Sequence, residues 1–358
     1  MRALREIGLG QIGLGAWGPN LLRTFGSVGG CRVRRVADLD EKRFGALEIP
    51  AERPVFTRDY REILSDPAIE AVAIATPSET HYRIGREVLL AGKHLFVEKP
   101  LALSSREGQR LVDLARERRR TLMVGHLLMY HPAVIAMAGL VRRGRIGKIR
   151  YLGIRRRAFG RLQGGCSVLW DLGPHDISIA LMVTGGRPAA VSSLGRAFIQ
   201  PGLPEVSFMA ISLAGGALAH IEESWLAPLR ERQLLAVGDK GMLLFDELAA
   251  DGAHLKHFAK AIRVRPGVPV KVFEYLDAGA SPIEIEGGQP LAAECREFLE
   301  CIRRRREPRA GGNNAVAVLR VLEAAEKSQR AGGREIMVRA KTTNTIPLLR
   351  AERGGTAG

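Results

Sequence analysis

The chain has few cysteines, no long apolar run and no repeat of solenoid length. Its four cysteines are scattered without Cys-x-x-Cys spacing, at Cys31, Cys166, Cys295 and Cys301. This pattern excludes a disulfide framework and a zinc ribbon, and it predicts free thiols in a reducing compartment. No apolar run approaches the roughly 18 residues of a membrane span, and the start has no apolar block of signal-peptide length. We expect a cytoplasmic protein without a membrane partner or a metal site.

Lysine is also scarce, with 10 lysines against 44 arginines, and the formal net charge is +16. Basic runs lie at 116–120, 142–145, 155–157 and 303–306. A nucleic-acid-binding protein can carry such charge, but these runs are dispersed, lack interleaved aromatic residues and match no nucleic-acid motif. We therefore expect solvated arginines, no nucleic-acid partner, and a positive field that attracts anionic ligands such as sugar phosphates.

The first third of the chain alternates strand and helix patterns. Short apolar strand patterns lie at 32–38, 69–76 and 93–100, the last ended by a proline, and a helical pattern at 78–92 stands between the last two. A second helical pattern opens with a capping box from Ser104 to Glu107. This alternation predicts an α/β Rossmann domain, a doubly wound parallel sheet, over residues 1–124.

The pattern changes after residue 125. A long strand pattern at 148–159 and a helix near 175–184 precede several strands with short glycine turns, and helices near 290–304 and 313–330 follow. This order predicts an α+β domain over 125–340 with an open, mostly antiparallel sheet, followed by a tail at 341–358. A long sheet without an obvious covering layer favours a homodimer or homotetramer.

The segment IGLGQIGLGAWGPN contains the dinucleotide fingerprint G-x-G-x-x-G twice, with Gly13 shared. The copy that ends at Gly13 would need a helix through three glycines and a proline, all poor helix formers. The copy Gly13, Gly15, Gly18 has a helix pattern after it and Asp38 20 residues beyond its last glycine. We expect this second copy to bind pyrophosphate. The strand before it contains two glycines and Gln11, which weaken it.

Two further motifs carry side chains suited to chemistry. FVEKP puts Glu98 and Lys99 at the C-terminal end of a strand, where open α/β sheets bind ligands. Lys99 there could hold a substrate oxygen or transfer a proton, or it could simply end the strand at the surface. WDLGPHD spaces Asp171 and His175 four apart, which on a helix allows a carboxylate-oriented imidazole base. A capped helix start with a satisfied core histidine is the alternative.

Together GLGAWGPNLLR, ADLD, ATPSETH, AGKHLFVEKPLALS and WDLGPHD resemble the Gfo/Idh/MocA oxidoreductases over about residues 7–335. GHLLMYHPAV and PLAAECREFLECI resemble a bacterial subgroup that acts on nucleotide sugars. The resemblance implies a second domain that often builds the oligomer interface, and a cis Lys99–Pro100 peptide. It implies that NAD is bound by Gly13, Gly15, Ala16, Trp17, Gly18, Asp38, Thr76, Pro77, His81, Glu98 and Lys99.

The expected activity is an NAD-dependent dehydrogenase, with NADP disfavoured because Asp38 would repel a 2′-phosphate. His175, oriented by Asp171, would remove a proton from a sugar hydroxyl while Lys99 holds the reacting oxygen. The expected substrate is a nucleotide-linked sugar, such as a UDP-N-acetylhexosamine or its uronate oxidised at C3. Tyr130, Arg157 and Arg161 complete the predicted substrate residues, the two arginines as phosphate contacts.

Three other functions remain open from the sequence. The first is a dehydrogenase of a free sugar or a cyclitol. The second is a sugar or NAD sensor without catalysis. The third is a glycosidase that oxidises its substrate transiently and releases no net NADH.

Overall fold

The structure is a computed structural model that describes residues 5–45, 47, 53–160, 162–264 and 272–338. The strands are β1 (Ile7–Ile12), β2 (Cys31–Ala37), β3 (Val55–Thr57), β4 (Ala71–Ile74), β5 (His94–Glu98), β6 (Leu122–Gly125), β7 (Ile149–Arg157), β8 (Pro188–Arg196), β9 (Val206–Leu213), β10 (Leu218–Ser224), β11 (Glu231–Gly238), β12 (Met242–Asp246), β13 (Leu255–Val264), β14 (Phe273–Pro282) and β15 (Ile336–Met337). The α-helices are α1 (Gly18–Ser27), α2 (Glu41–Gly45), α3 (Arg61–Ser65), α4 (His81–Leu90), α5 (Ser105–Glu117), α6 (Pro132–Arg142), α7 (Val168–Thr184), α8 (Pro290–Arg304) and α9 (Gly312–Arg330).

The N-terminal sheet is parallel throughout, in the order β3-β2-β1-β4-β5-β6. The predicted Rossmann domain is therefore confirmed. The chain order reverses at β1, which lies between β2 and β4, so the loops after β1 and β4 separate at their C-terminal ends. Ligands of doubly wound sheets bind in this crevice.

Strand β1 is wholly buried, although the sequence suggested that its glycines weaken it. A Cβ on Gly8 would lie 1.9 Å from the carbonyl oxygen of Ala68, and a Cβ on Gly10 would lie 2.3 Å from Cγ2 of Ile63. Both contacts are too short for any side chain. The glycines therefore allow β1 to pack against the segment before β4, and they serve the core rather than a ligand.

The second sheet has the order β14-β13-β12-β11-β7-β10-β9-β8-β15. Its neighbours pair antiparallel except for β7 and β10, which are parallel, so the predicted mostly antiparallel sheet is confirmed. Helices α7 and α9 pack on its inner face. Its outer face carries four large apolar side chains that are 43–46% exposed, namely Tyr151, Leu194, Phe208 and Leu218.

The last two helices join the two sheets. Phe298 of α8 packs edge-on against Phe25 and Phe96 of the N-terminal domain, at ring-centroid distances of 6.2 and 5.7 Å. Helix α9 contacts both α5 and β8. This packing fixes the C-terminal edge of the parallel sheet against α7.

Three expectations about local structure need correction or restriction. Helix α7 begins at Val168 rather than near residue 175, because the Ser167 hydroxyl caps it by accepting from the Trp170 amide at 3.4 Å. Strands β13 and β14 were not predicted. The tail at 341–358 lies outside the described residues. Within the described ranges, no helix is both long and apolar enough to cross a membrane.

Candidate active site

The glycine loop between β1 and α1 is the second copy of the fingerprint. Gly13 has φ +99°, and a Cβ there would lie 2.5 Å from the carbonyl oxygen of Ala75. A Cβ on Gly18 would lie 2.4 Å from the carbonyl oxygen of Gly13. At Gly15, by contrast, the nearest atom to a Cβ is 3.9 Å away, so the protein itself leaves this backbone open. This open backbone at a helix N-terminus fits a pyrophosphate.

Gln11 holds this loop in place through hydrogen bonds from its side chain, a role that no sequence motif indicated. Its side chain is fully buried in β1, and Nε2 donates to the carbonyl oxygens of Gly13 at 3.1 Å and of Gly18 at 2.8 Å. The two ends of the glycine loop are thus held by one amide. A polar residue inside an otherwise buried strand, directly before a glycine loop, was the available signal.

Asp38 follows β2 and lies beside the same loop. Its Oδ2 accepts from the Leu14 amide at 2.6 Å, and its Oδ1 accepts from the Asp40 amide at 2.9 Å. An ionised carboxylate has lone pairs left for two ribose hydroxyls. The guanidinium of Arg43 lies 3.8 Å from Oδ2. The position fits the predicted ribose contact.

His81 braces the site and has no free ring nitrogen for a cofactor. Its Nδ1 lies 2.7 Å from the carbonyl oxygen of Pro100, and its Nε2 lies 2.9 Å from that of Thr76. Burial lowers the pKa of His81, and a neutral ring donates to only one of these carbonyls. We therefore correct its predicted role: His81 ties the Thr76–Pro77 turn to the end of β5. Thr76 itself shares a 2.6 Å hydroxyl contact with Thr80.

Glu98 ends β5 with one oxygen free. Oε2 accepts from the Lys99 amide at 3.3 Å, whereas Oε1 is buried without a hydrogen-bond partner. Burial raises the pKa of Glu98 to about 7, although the Lys99 amide and charge and the Trp17 indole favour the ionised form. The next peptide, Lys99–Pro100, is cis, as the family resemblance implied.

The ammonium of Lys99 contacts Asp171 twice. Nζ donates to Oδ1 at 2.9 Å and to the main-chain oxygen of Asp171 at 2.8 Å. The carboxylate therefore faces Lys99. Nδ1 of His175 is buried and has no hydrogen-bond partner, so the predicted Asp171–His175 pair is not formed. The i,i+4 spacing does put both residues on one side of α7, but the nearby ammonium is the stronger partner for the carboxylate.

His175 and His126 form a neutral pair of imidazoles beside Lys99. Burial, followed by the charges of Lys99 and Arg156, lowers the pKa of His175 well below its ordinary value. The His126 ring is 1% exposed, both of its nitrogens are buried without partners, and burial together with Lys99 lowers its pKa to about 3. His126 belongs to no spacing motif, so the sequence gives no signal for its place in the site.

A second charged layer lies beneath these residues. Arg156 donates from Nε to both carboxylate oxygens of the fully buried Asp176, at 2.8 and 2.9 Å. Glu223 on β10 is also fully buried, and neither of its oxygens has a partner. Burial and the neighbouring Asp176 raise the pKa of Glu223 well above its ordinary value, which favours the neutral acid.

Two predicted substrate residues lie away from this site, and one is not described. Tyr130 is 3% exposed, and its hydroxyl accepts from the Ala310 amide at 3.3 Å inside the core. Arg157 pairs with Glu222 at 2.9 Å and with Glu231. Because neighbours on a strand face opposite sides and Arg156 faces α7, Arg157 lies on the outer face of the sheet. Arg161 lies outside the described residues.

A cavity of about 760 Å³ is lined by Pro100 and Trp170, the chain neighbours of Lys99 and Asp171, although neither Lys99 nor Asp171 lines it. Pro100, Trp170 and Cys166 line the side nearest the pair, and Arg196 and Arg330 line another part. Its volume is in the range of sites for drug-sized ligands. Among the described residues, no group of three or more histidine, cysteine or carboxylate side chains is arranged to hold a metal ion.

Nicotinamide fits the residues between the glycine loop and α7. Oε1 of Glu98 and both nitrogens of His126 are buried polar atoms without partners, which are rare in folded proteins. A carboxamide offers both a donor and an acceptor to such groups. The glycine loop, Asp38, Glu98 and His126 all lie at the C-terminal ends of strands of the same parallel sheet, namely β1, β2, β5 and β6.

Comparison with known proteins agrees with this geometry. Residues 7–126 match the family described as an oxidoreductase family with an NAD-binding Rossmann fold, and residues 134–244 match the GFO/IDH/MocA C-terminal domain. The chain therefore belongs to the Gfo/Idh/MocA oxidoreductases, as its motifs indicated. Within that family it is an NAD-dependent dehydrogenase that acts on CH–OH groups.

Two relatives illustrate the range of the family. The UDP-N-acetylglucosamine 3-dehydrogenase of Acidithiobacillus ferrooxidans is 29% identical over 72% of this chain and 77% of its own. The scyllo-inositol 2-dehydrogenase (NAD(+)) of Bacillus subtilis is 27% identical over 91% of this chain and 93% of its own. The crystal structure of GenD2 from gentamicin A biosynthesis, in complex with NAD, has the same fold, with a TM-score of 0.77, 24% identity and coverage of 95% and 98%.

Proposed function

We propose that this protein oxidises a secondary hydroxyl of a nucleotide-linked sugar, with Lys99, Asp171 and His175 as its catalytic residues. The observation that carries the proposal is the contact of Lys99 Nζ with Asp171 at the edge of the sheet where nicotinamide fits. An unpaired, neutral imidazole lies beside it. Bound NAD supplies the hydride acceptor.

Each side chain has a distinct part in the proton transfer. Neutral His175 has a basic nitrogen, and its low pKa keeps it unprotonated across physiological pH. The Lys99 ammonium donates a hydrogen bond to the reacting oxygen and stabilises the charge that develops on it. Asp171 holds that ammonium in place with two acceptors. A ketone product leaves the proton on His175, from which it passes to solvent.

The adjoining cavity supports a nucleotide sugar rather than a small polyol. A volume of about 760 Å³ exceeds what a cyclitol fills, and Arg196 in its wall is exposed. Within the described ranges, its guanidinium has one hydrogen-bond partner, the carbonyl oxygen of Gly195 at 3.0 Å. An exposed guanidinium without a carboxylate partner is suited to bind a diphosphate. We therefore propose Arg196 in place of Arg157 as the phosphate contact. The UDP-N-acetylglucosamine 3-dehydrogenase among the relatives supports oxidation at C3 of such a sugar.

The deciding experiment follows NADH at 340 nm with NAD and UDP-N-acetylglucosamine, its uronate, free N-acetylglucosamine or scyllo-inositol. We expect NADH with a UDP-sugar, and a fall in kcat of about a thousandfold or more in Lys99→Ala and His175→Asn. Binding of NAD, measured by fluorescence, should change less than about threefold. Lys93→Met is the matched control. Lys93 is a buried lysine whose Nζ donates to the carbonyl oxygens of Asp66 and Ile69, at the other edge of the sheet.

The other functions give different results in the same assay. NADH with scyllo-inositol alone would identify a cyclitol dehydrogenase and refute the nucleotide-sugar proposal. Sugar release without net NADH would identify the glycosidase reaction. NAD binding without turnover of any compound, even after a 2-oxo acid is added to reoxidise retained cofactor, would identify a sensor.

We also propose that the outer face of the second sheet joins copies of this chain. Its large apolar side chains form one surface, with Tyr151 on β7, Phe208 on β9 and Leu218 on β10. Light scattering after size exclusion should show a dimer or tetramer, and Phe208→Asp should shift it toward monomer. A wild-type monomer at micromolar concentration refutes this assembly.

A further inference from the structure

A second cavity, of about 770 Å³, opens at the end of the parallel sheet where its strands begin, opposite the active site. Its wall includes His94 and Leu122, which begin β5 and β6, whereas the cofactor residues follow the other ends of their strands. Eight arginines and two glutamates line it. We call it the arginine cavity. Neither the proposed reaction nor the fit of NAD uses any of its residues.

Among the described residues, five of these eight arginines have no carboxylate partner for the guanidinium, and one of the five, Arg309, instead donates to the main-chain oxygen of Met129 at 3.1 Å. Arg5 pairs with Glu70 at 2.8 Å, and Arg306 pairs with Glu297 at 2.9 Å. In the part of the chain that the structure describes, no carboxylate oxygen lies within 4.0 Å of the guanidinium groups of four others. These four are Arg116, Arg119, Arg120 and Arg305. Like charges gathered without counter-charges destabilise a free protein, so an anionic occupant relieves their repulsion.

Two of the four have an unusual backbone conformation. Arg119 and Arg305 have φ of +53° and +51°, and among the described residues they are the non-glycine positions with positive φ. Arg305 directly follows α8, and Arg119 lies two residues after the end of α5, where glycine is the favoured residue. Both line the same cavity. Arginine at both positions carries backbone strain that glycine would avoid.

The start of α9 contributes hydrogen-bond donors to the same cavity. Residues 311–314 line it, and this 19-residue helix has neither a side-chain cap nor an acidic residue in its first turn. The first N–H groups of a helix have no acceptor within the helix and favour anions. An uncapped helix start thus meets four unpaired guanidinium groups at the same cavity.

We propose that the arginine cavity binds a small oligophosphate ligand, in the class of nucleoside di- and triphosphates, independently of the cofactor site. Four unpaired guanidinium groups match a ligand that carries several negative charges, because each can bind phosphate oxygens through two parallel hydrogen bonds. The concave shape and the volume favour a compact ligand over an extended nucleic-acid strand. The position at the opposite sheet edge separates this site from the pyrophosphate loop.

The test titrates inorganic triphosphate into protein saturated with NAD, by calorimetry at 50 mM salt, so that the glycine loop is filled. The test variant is the double substitution Arg119→Gly with Arg305→Gly, which removes two charges and relaxes two strained backbone positions. We expect this variant to unfold at the same temperature as the wild type or at a higher one. We expect one triphosphate per chain and a Kd that rises about tenfold or more in this variant. UTP and UDP in further titrations show whether a nucleoside adds affinity.

The matched control is Arg86→Gln with Arg110→Gln, which removes the same charge from exposed positions on α4 and α5 outside the cavity. Its Kd should change less than about twofold. Equal weakening in both double variants would show diffuse attraction by net charge and overturn the proposal. Absence of triphosphate binding in the NAD-saturated protein would overturn it as well. Tighter binding of a single-stranded oligonucleotide, weakened by both double variants, would replace it with a nucleic-acid surface.

Discussion

Lys99 and Asp171 are 72 residues apart in the chain, yet Nζ of Lys99 donates to both Oδ1 and the main-chain oxygen of Asp171. Lys99 follows the last residue of β5, and Asp171 lies in the first turn of α7. The contact therefore connects the two domains across the site. It also fixes where the ammonium lies relative to His175, one turn further along α7.

Asp171→Asn tests what the carboxylate charge contributes. The amide keeps the shape and the main-chain acceptor but removes the charge that holds the ammonium. We expect kcat to fall about 10- to 100-fold while the Kd of NAD stays within about threefold. Steady-state kinetics and a fluorescence titration measure the two effects. Asp113→Asn, on the exposed side of α5, is the control. Equal kcat in both variants would show that the charge of Asp171 does not contribute to catalysis.

His126→Leu should separate activity from stability. Both ring nitrogens are buried without partners, so an apolar side chain of similar size removes a desolvation cost of about 1 kcal/mol or more. We expect an unchanged or higher melting temperature together with a kcat at least about tenfold lower. His81→Leu gives the contrast, because that ring contacts two carbonyl oxygens and its loss should lower the melting temperature. Wild-type kcat in His126→Leu would make His126 a core residue.

Gln11→Met tests the support of the glycine loop. Methionine fills the same volume but leaves the carbonyl oxygens of Gly13 and Gly18 without their buried donor, at a cost of about 1–3 kcal/mol. We expect the Kd of NAD to rise about tenfold, since a looser loop must be ordered upon binding. Gln109→Met, on the surface of α5, should bind NAD as the wild type does. Unchanged affinity in Gln11→Met would mean that the loop holds its shape unaided.

Asp38→Ser should shift the cofactor preference toward NADP. The substitution removes the charge that repels a 2′-phosphate and leaves the half-exposed guanidinium of Arg43 beside the same position. We expect the ratio of kcat/KM for NADP to that for NAD to rise about tenfold or more. The double variant Asp38→Ser with Arg43→Gln should lose most of that gain. An unchanged ratio would place the adenosine ribose elsewhere.

His94 should make the fold sensitive to acid. Burial, together with Arg120 and Arg5, lowers its pKa from 6.5 to about 4. Below pH 6.5 His94 becomes protonated in the unfolded chain but stays neutral in the folded chain, so the free energy of unfolding falls as the pH drops toward 4. At pH 4.5 this loss is about 2.5 kcal/mol relative to pH 7.5. Urea unfolding at the two pH values should show a smaller loss in His94→Asn, and equal losses would contradict the assignment.

Much of the site follows from short motifs, and the exceptions have physical reasons. The glycine loop, Asp38 and Lys99 occupy the expected sheet edge because the positions depend only on the order of strands and helices. Gln11 and His126 belong to no motif, and only packing shows that their polar atoms lack other partners. Arg157 was misplaced because 155–157 reads RRR, and identical neighbours give no signal for which face of a strand is buried.

The two overlapping fingerprints have a consequence for how tolerance to substitution is interpreted. A methyl group at Gly8 or Gly10 collides with the core as surely as one at Gly13 or Gly18 collides within the loop. A survival screen of all substitutions would therefore score both copies as equally intolerant. Among the five glycines, Gly15 alone has room for a side chain in the free protein. A Gly15→Ala variant that folds but no longer binds NAD would separate a glycine required for ligand binding from glycines required for packing.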